Sequence, residues 1–449
     1  MTATYMEPAR SLPVRDKADV CIAGGSCTGV FAAVRAARMG CSVVLCEEMN
    51  VLGGVAVTGL VNIWHTLMDM DDREQVIAGL TEEMIRRLQK AGALEISRSR
   101  SSTYNFNPSE FAIELDRLVA EHRIRVRLHT KVCQVLTEAG KIRAAVIEDG
   151  DGRAVIEAGF FIDCTGDGDL ARFLGLESYA HPYIQPPTAC FHLLGRLDGV
   201  DLDRLIHEHG AEFGLPDDWG WNVHVAHCPG ITMRADNHVF GLRCDRADDL
   251  TKAEITGRGQ MRAFVSLLQK YGRQDTTYAL TNIPSYIGIR ETVHYKTRFQ
   301  ATELPLLTGT RYEDPICNGT YPTDIHHSDN MAITFRYLDG TEKTIWGKNT
   351  RTDMGNWRER LGITTPAAAY YQVPFQLLVQ EHWENFIAAG RMLHADMGAF
   401  GALRVMVNLN QLGEAAGCAA ACCLGEGTAV YALDGRHVTD ALRKGGSAL

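Results

Sequence analysis

A glycine turn between a short apolar strand and a helix of small residues constrains this chain more than any other feature. A strand over residues 19–23 runs into Gly24-Gly25-Ser26-Cys27-Thr28-Gly29; a small-residue helix follows, and a second strand over 42–46 ends at Glu47. An acid about 20 residues beyond the glycines of a strand–turn–helix–strand unit is the arrangement that holds an ADP moiety. Gly24 permits the tight turn, and Gly29 lets the helix pack closely on the strand. The helix amino terminus offers free N–H groups and a positive dipole end to a pyrophosphate. Glu47 can accept hydrogen bonds from ribose hydroxyls. Ser26 replaces the middle glycine and slightly crowds the phosphate approach.

After Glu47 and Glu48 the chain reads Met49-Asn50-Val51-Leu52-Gly53-Gly54-Val55-Ala56-Val57-Thr58-Gly59. Paired glycines just past the second strand suit a backbone passing close to a large ligand. A plain NAD domain continues here into a helix, so FAD is the expected dinucleotide. The segment is similar to that of the flavoprotein superfamily containing glutathione reductase and fumarate reductase. Within it the chain resembles the bacterial FAD-dependent oxidoreductases, on six motifs in order. Phe161-Ile162-Asp163-Cys164-Thr165-Gly166-Asp167-Gly168-Asp169 is similar to the strand-end A-T-G-D-G-D motif. Gln185-Pro186-Pro187-Thr188, Ile289-Arg290-Glu291 and Tyr321-Pro322-Thr323-Asp324-Ile325-His326 resemble three markers of the middle region. Asn385 through Gly390-Arg391 matches the return to the flavin, and Arg404-Val405-Met406 with Gly413-Glu414-Ala415-Ala416-Gly417 fits the closing helix.

The resemblance implies that Thr165, Gly166 and Asp167 close over the FAD. It implies further that Gly390 and Arg391 lie against the pyrophosphate or ribityl chain, although many relatives carry Asp in place of Arg391. The helix end at Val407 and Asn408 is expected at the flavin pyrimidine edge, where N–H groups stabilise charge on reduced flavin. Gly53, Gly54, Val55, Thr58, Gly59 and Val132 complete the expected cofactor contacts.

The 449 residues are 45% hydrophobic and 22% charged with net charge −10, an ordinary soluble composition. The acidic balance, without a basic block, argues against nucleic-acid partners. The thirteen cysteines lie in apolar strand and helix settings, and residues 1–17 lack the apolar core of a secretory peptide, so a reduced cytoplasmic protein is expected. The most apolar stretch, 405–424, contains Asn408, Asn410, Gln411 and Glu414 and reads as a buried helix rather than a membrane span.

The expected fold is α/β: a Rossmann-like FAD-binding domain, with a parallel sheet and a small antiparallel meander, into which an α+β mixed-sheet substrate domain is inserted. Residues 1–17 read as a flexible lead, 18–178 and 385–449 as the discontinuous FAD domain, and 179–384 as the substrate domain. Helical spacing of Val76, Leu80, Met84, Ile85 and Leu88 predicts a helix over 75–91. Asn107-Pro108-Ser109 caps another through His122. Residues 125–128 read as a third parallel strand. Alternation over 131–136, 142–148 and 154–158 predicts the meander, followed by a separate strand over 160–164.

Five residues are candidates for chemistry. Arg290 and Arg404 sit among apolar neighbours, where a guanidinium needs an anionic or carbonyl partner. That partner is an internal acid such as Glu291, or a substrate carboxylate or oxyanion. Asp324, His326 and the neighbouring His327 fall on one short loop and could exchange protons near neutral pH. His65, after Trp64, lies near the expected flavin ring. No metal site is expected; Asp324/His326/His327 and His224/His227/Cys228 each lack a second ligand cluster.

A thiol reductase would carry Cys-x4-Cys beyond the glycine pair, and residues 51–60 contain no cysteine. Without a second nucleotide fold no dedicated NAD(P)H site is expected. The electron acceptor is then oxygen, a quinone or a protein, and a homo-oligomer is possible. The expected activity is hydride transfer between a small polar metabolite and flavin N5. Alternatives are reduction of an activated double bond, a flavin-dependent RNA modification, and an idle FAD-binding subunit.

Overall fold

The structure, a computed structural model, describes residues 4–98 and 102–449. Its central sheet has seven strands and mixes parallel with antiparallel pairing. The strand Val14–Ala23 lies between Val43–Cys46 and Gly152–Asp163 and runs parallel to both, with Ile22 opposite Leu45 and Ile162. Arg125–Arg127 extends the parallel sheet on one side and Phe386–Ala388 on the other. Lys131–Glu138 and Lys141–Asp149 add the antiparallel meander. This mixed α/β architecture is consistent with a Rossmann-like FAD-binding domain.

Two strand expectations change. The first strand begins at Val14, paired with Val155, so the stretch read as a flexible lead includes sheet. Its outer half is exposed and polar, which hides it from a hydrophobic reading. Residues 154–158 and 160–164, expected as two strands, form one strand, Gly152–Asp163. Gly159 does not break it. A Cβ there would stand 2.9 Å from Leu424 Cδ2 on the helix Met406–Glu426, so the glycine serves close helix–sheet packing.

Helix Cys27–Arg38 packs on the last long helix, Met406–Glu426, through two glycines. A Cβ on Gly413 would meet Thr28 O at 2.1 Å, and one on Gly417 would meet Ala32 O at 2.2 Å. The same interface holds a buried ion pair. Arg35 Nε donates to Glu414 Oε2 at 2.7 Å, Arg35 Nη1 donates to Gly445 O at 2.7 Å, and Leu80 N donates to Glu414 Oε1 at 3.1 Å. Breaking a buried pair strands the other charge, at about 3–5 kcal/mol. Glu414→Met is therefore expected to lower unfolding free energy in urea by that order, while Arg35→Met/Glu414→Met recovers most of the loss.

The helix expected over 75–91 is Gly79–Lys90, its start delayed by the bridge between Met68 and Gln75. The Asn107 cap forms as expected, with Asn107 Oδ1 accepting from Ser109 N at 3.0 Å. The middle of the chain builds two four-stranded antiparallel sheets. One contains Phe191–Leu194 and Ile231–Ala235 beside the helix Ala247–Tyr271, and the other begins with Thr323–His326. Asp324 and His326 thus lie on a strand, not on a loop. Strand alternation puts both on one face and turns His327 away, where its ring nitrogen meets Thr334 Oγ1 at 2.9 Å. Among the described residues no helix is long and apolar enough to cross a membrane.

Candidate active site

At the carboxyl ends of the parallel strands, where α/β sheets place ligands, two cavities of about 550 and 410 Å³ meet. Gly24, Glu47, Glu48, Thr165 and Asp167 line both, which makes one continuous cleft.

The turn at Gly24 is built for close approach. Gly24 has φ +95°, and a Cβ there would fall 2.3 Å from Cys164 O. Ser26 caps helix Cys27–Arg38 by backbone only and the first turn carries no acid. The N–H groups of Cys27, Thr28 and Gly29 therefore lack intrahelical acceptors, and Cys27 and Thr28 line the cleft. Such a terminus is an anion site. Glu47 is buried, and burial raises its carboxyl above the usual range; Oε2 accepts from Gly25 N at 2.5 Å and Oε1 from Met49 N at 2.8 Å. These bonds fix the acid beneath the turn.

The opposite wall is ordered by Asp163. Its Oδ1 accepts from Thr165 N and Oγ1 at 3.1 and 2.7 Å, and its Oδ2 from Leu170 N and Ala171 N at 2.8 and 3.1 Å. Arg391 lies over Gly166 and binds Asp167 Oδ1 at 2.5 Å. The side chain is 21% exposed and lines the cleft, within reach of an anion.

Most expected cofactor residues line this cleft, among them Ser26, Gly53, Gly54, Val55, Thr58, Gly166 and Gly390. Val132 lines its larger lobe. Gly25, Gly29, Gly59, Val407 and Asn408 do not reach the wall of the smaller lobe. Gly29 instead packs on Gly24 O, and a Cβ on Gly59 would meet Val55. Asn408 points into the protein, donating from Nδ2 to Tyr371 Oη and Ala402 O at 2.9 Å each. The helix-end residues at the cleft are Val405, Met406, Leu409 and Asn410, because at 3.6 residues per turn 407 and 408 face away from the side that 406, 409 and 410 share.

The smaller lobe also gathers His65, Arg290, Asp324, His326 and Arg404, which sequence separation alone would scatter. Asp324 Oδ2 accepts from Arg404 Nη2 at 2.9 Å and from Tyr321 Oη at 2.8 Å, while Oδ1 stands 3.3 Å from His326 Nε2. Burial would raise this carboxyl, but Arg404 and His326 hold it well below the usual range. Arg404 is thus neutralised by an internal acid. Arg290 is not. It does not bind Glu291; it donates from Nη1 to Pro186 O at 2.8 Å and to Thr188 Oγ1, both neutral. Burial, with Arg404 nearby, pulls Arg290 down to about 10, so it remains charged at neutral pH.

Both candidate histidines are neutral. Burial lowers His65 to about 4. Burial and Arg290 push His326 well below its ordinary value. The His65 ring lies 4.2 Å from that of Tyr321, and the His326 ring lies 4.7 Å from that of His238, whose Nδ1 is held at 2.6 Å by Asp218 Oδ2.

Trp219, Trp221, Tyr286, Tyr321 and Phe335 form an aromatic wall that the sequence reading missed. The sequence signals it only through the density of aromatics after residue 175. His224, His227 and Cys228 lie outside both lobes.

The FAD dependent oxidoreductase family matches residues 19–442 of this chain. No curated protein matches significantly. Among solved structures, a geranylgeranyl bacteriochlorophyll reductase-like protein from Thermoplasma acidophilum is similar at TM-score 0.46 and 10% identity, covering 96% of this chain and 82% of that one. The p-nitrophenol 4-monooxygenase of Pseudomonas putida is similar at TM-score 0.43 and 10% identity, covering 95% and 84%. Likeness this distant carries no argument about substrate.

Proposed function

Because the chain belongs to the family of FAD dependent oxidoreductases, we propose that it oxidises a small metabolite bearing one carboxylate or oxyanion on an apolar body. The observation that carries this reading is the charge of the smaller lobe. Arg404 and Asp324 cancel, His65 and His326 are neutral, and Arg290 is left with neutral partners. A charged group away from bulk water calls for a counter-charge, and a substrate anion supplies it. The aromatic wall suits the apolar remainder.

The cleft fits FAD: the orphan N–H groups at Cys27 and Thr28 with Arg391 suit a diphosphate, and the glycine approaches leave room for it. In this reading Cys27, Thr28 and Arg391 hold the diphosphate, Glu47 and Glu48 lie at the ribose, and residues 405–406 border the flavin. Bound FAD supplies a two-electron acceptor for hydride. The protein does the rest. Arg290 orients the anion, and the aromatic side chains exclude water. Asp324, fixed by Arg404 and Tyr321, holds the Nε2 side of His326, leaving Nδ1 to take the companion proton. The two-part FAD region and the inserted substrate region, 179–384, are part of the same reading.

Two results test it. His326→Ala is expected to slow anaerobic flavin bleaching by at least about 100-fold with FAD content unchanged; equal loss of both would make the residue structural. The pH profile follows from the lowered His326 value. The neutral base persists as pH falls through 6.5, the ordinary histidine value, so reduction rates stay flat there and decline only at lower pH. A decline centred at or above that value would contradict a base in this environment.

A further inference from the structure

Beside Arg290, but outside the cleft, two histidines and a glutamate meet: His181, Glu291 and His294, with their ligand atoms within 4.8 Å of one another. The side chains of Glu291 and His294 are wholly buried and that of His181 is 7% exposed. Each imidazole already uses one nitrogen on a main-chain carbonyl. His181 Nε2 meets Ala395 O at 3.0 Å, and His294 Nδ1 meets Leu393 O at 2.8 Å. A carbonyl can only accept, so those nitrogens carry the protons. In the neutral tautomers the other two nitrogens, His181 Nδ1 and His294 Nε2, present lone pairs. Both face the same oxygen, Glu291 Oε1, at 2.6 and 3.2 Å.

Three electron-rich atoms directed at one another need something positive between them. A second proton on His181, which the Glu291 carboxylate favours against burial, satisfies the 2.6 Å contact but leaves the His294 Nε2 lone pair on the same oxygen. Second protons on both rings would place two imidazolium groups side by side, their centroids 4.4 Å apart. A divalent cation satisfies all three atoms at once, and imidazoles that donate their remote N–H to backbone carbonyls are the usual second shell of such sites. We infer that His181, Glu291 and His294 hold a first-row divalent cation of the zinc type, which two imidazoles and a carboxylate suit. The surroundings are those of a closed structural centre. Tyr179 stacks on His294 at 5.2 Å, and Phe400 meets it edge-on at 4.7 Å. The cation joins the strand Ser178–Tyr179, the segment carrying Arg290 and the segment 393–395, and so fixes the base from which Arg290 enters the cleft. The inference rests on this geometry alone and does not depend on the substrate proposed above.

The FAD-loaded protein, stripped with a chelator and desalted, is incubated with Zn²⁺ or Co²⁺, desalted again and analysed for metal. The expected result is about one ion per chain, together with a higher melting temperature. His294→Ala and His181→Ala are each expected to retain less than about a tenth of that metal with flavin content preserved. Should either variant lose its flavin, X-ray absorption of the Co²⁺-loaded wild-type protein decides, with two imidazoles and a carboxylate expected in the coordination shell. Wild-type protein that retains neither ion, metal that persists in both variants, or a Co²⁺ shell lacking imidazole would overturn the assignment in favour of a protonated histidine pair.

Discussion

Arg290→Met is expected to abolish most flavin reduction by substrate while leaving the protein yellow. Methionine keeps much of the side-chain bulk and removes the cleft's uncompensated charge. Losing a charge-assisted contact to a buried anion costs about 3 kcal/mol, on the order of 100-fold in kcat/KM. The loss should fall mainly on substrates with a carboxylate; a neutral amide analogue, poor with the wild type, should change little. Pro186 O and Thr188 Oγ1, the groups Arg290 binds, are uncharged, so no internal carboxylate is stranded by the change. FAD absorbance per chain and urea unfolding separate this outcome from simple misfolding. Arg404→Met behaves differently, because it removes the partner of buried Asp324 and should destabilise the protein as well.

Gly29→Ala is expected to yield protein that does not retain FAD. The added methyl would stand 1.9 Å from Gly24 O, a backbone atom that cannot move without carrying the turn with it. The helix amino end must lift off the strand, and the N–H groups of Cys27 and Thr28 leave the diphosphate position. Hydrogen bonds to a charged group are worth about 1.5–3 kcal/mol each, so losing two lowers affinity on the order of 100-fold or more, enough to lose the flavin during gel filtration. Gly40→Ala is the control. Gly40 has positive φ, +95°, as Gly29 does not, but nothing lies within 4 Å of a Cβ there. It is expected to cost about 1 kcal/mol of backbone strain and stay fully yellow.

The two variants mark what could be read from the chain. Gly24, Gly29 and Glu47 act within one local unit, so their spacing carries their meaning, and the same holds for Thr165-Gly166-Asp167 at its strand end. The smaller lobe is assembled from segments hundreds of residues apart, and there the sequence named residues without their partners. Arg290 stands next to Glu291 in the chain, yet the backbone sends the two side chains apart, one to the cleft and the other to His181 and His294. Asp324 and His326 were legible as a pair but not as a strand, since a Pro-Thr-Asp-Ile-His-His run reads as a turn until its partner at residues 333–336 is seen. Val407 and Asn408 fall on the far face of the helix Met406–Glu426, and only the rotation of that helix decides which of its first residues meet the cleft. Trp219 and Trp221 carry no motif, only the regional density of aromatics.

The decisive measurement is anaerobic mixing of the FAD-loaded protein with matched carboxylate, ester and amide forms of a panel of small hydroxy and amino acids. Bleaching of the flavin by at least one free carboxylate, with its ester and amide far slower and Arg290→Met insensitive to the difference, is the predicted result. Equal bleaching by charged and neutral forms, or reduction by dithionite but by no carboxylate in the panel, would contradict it.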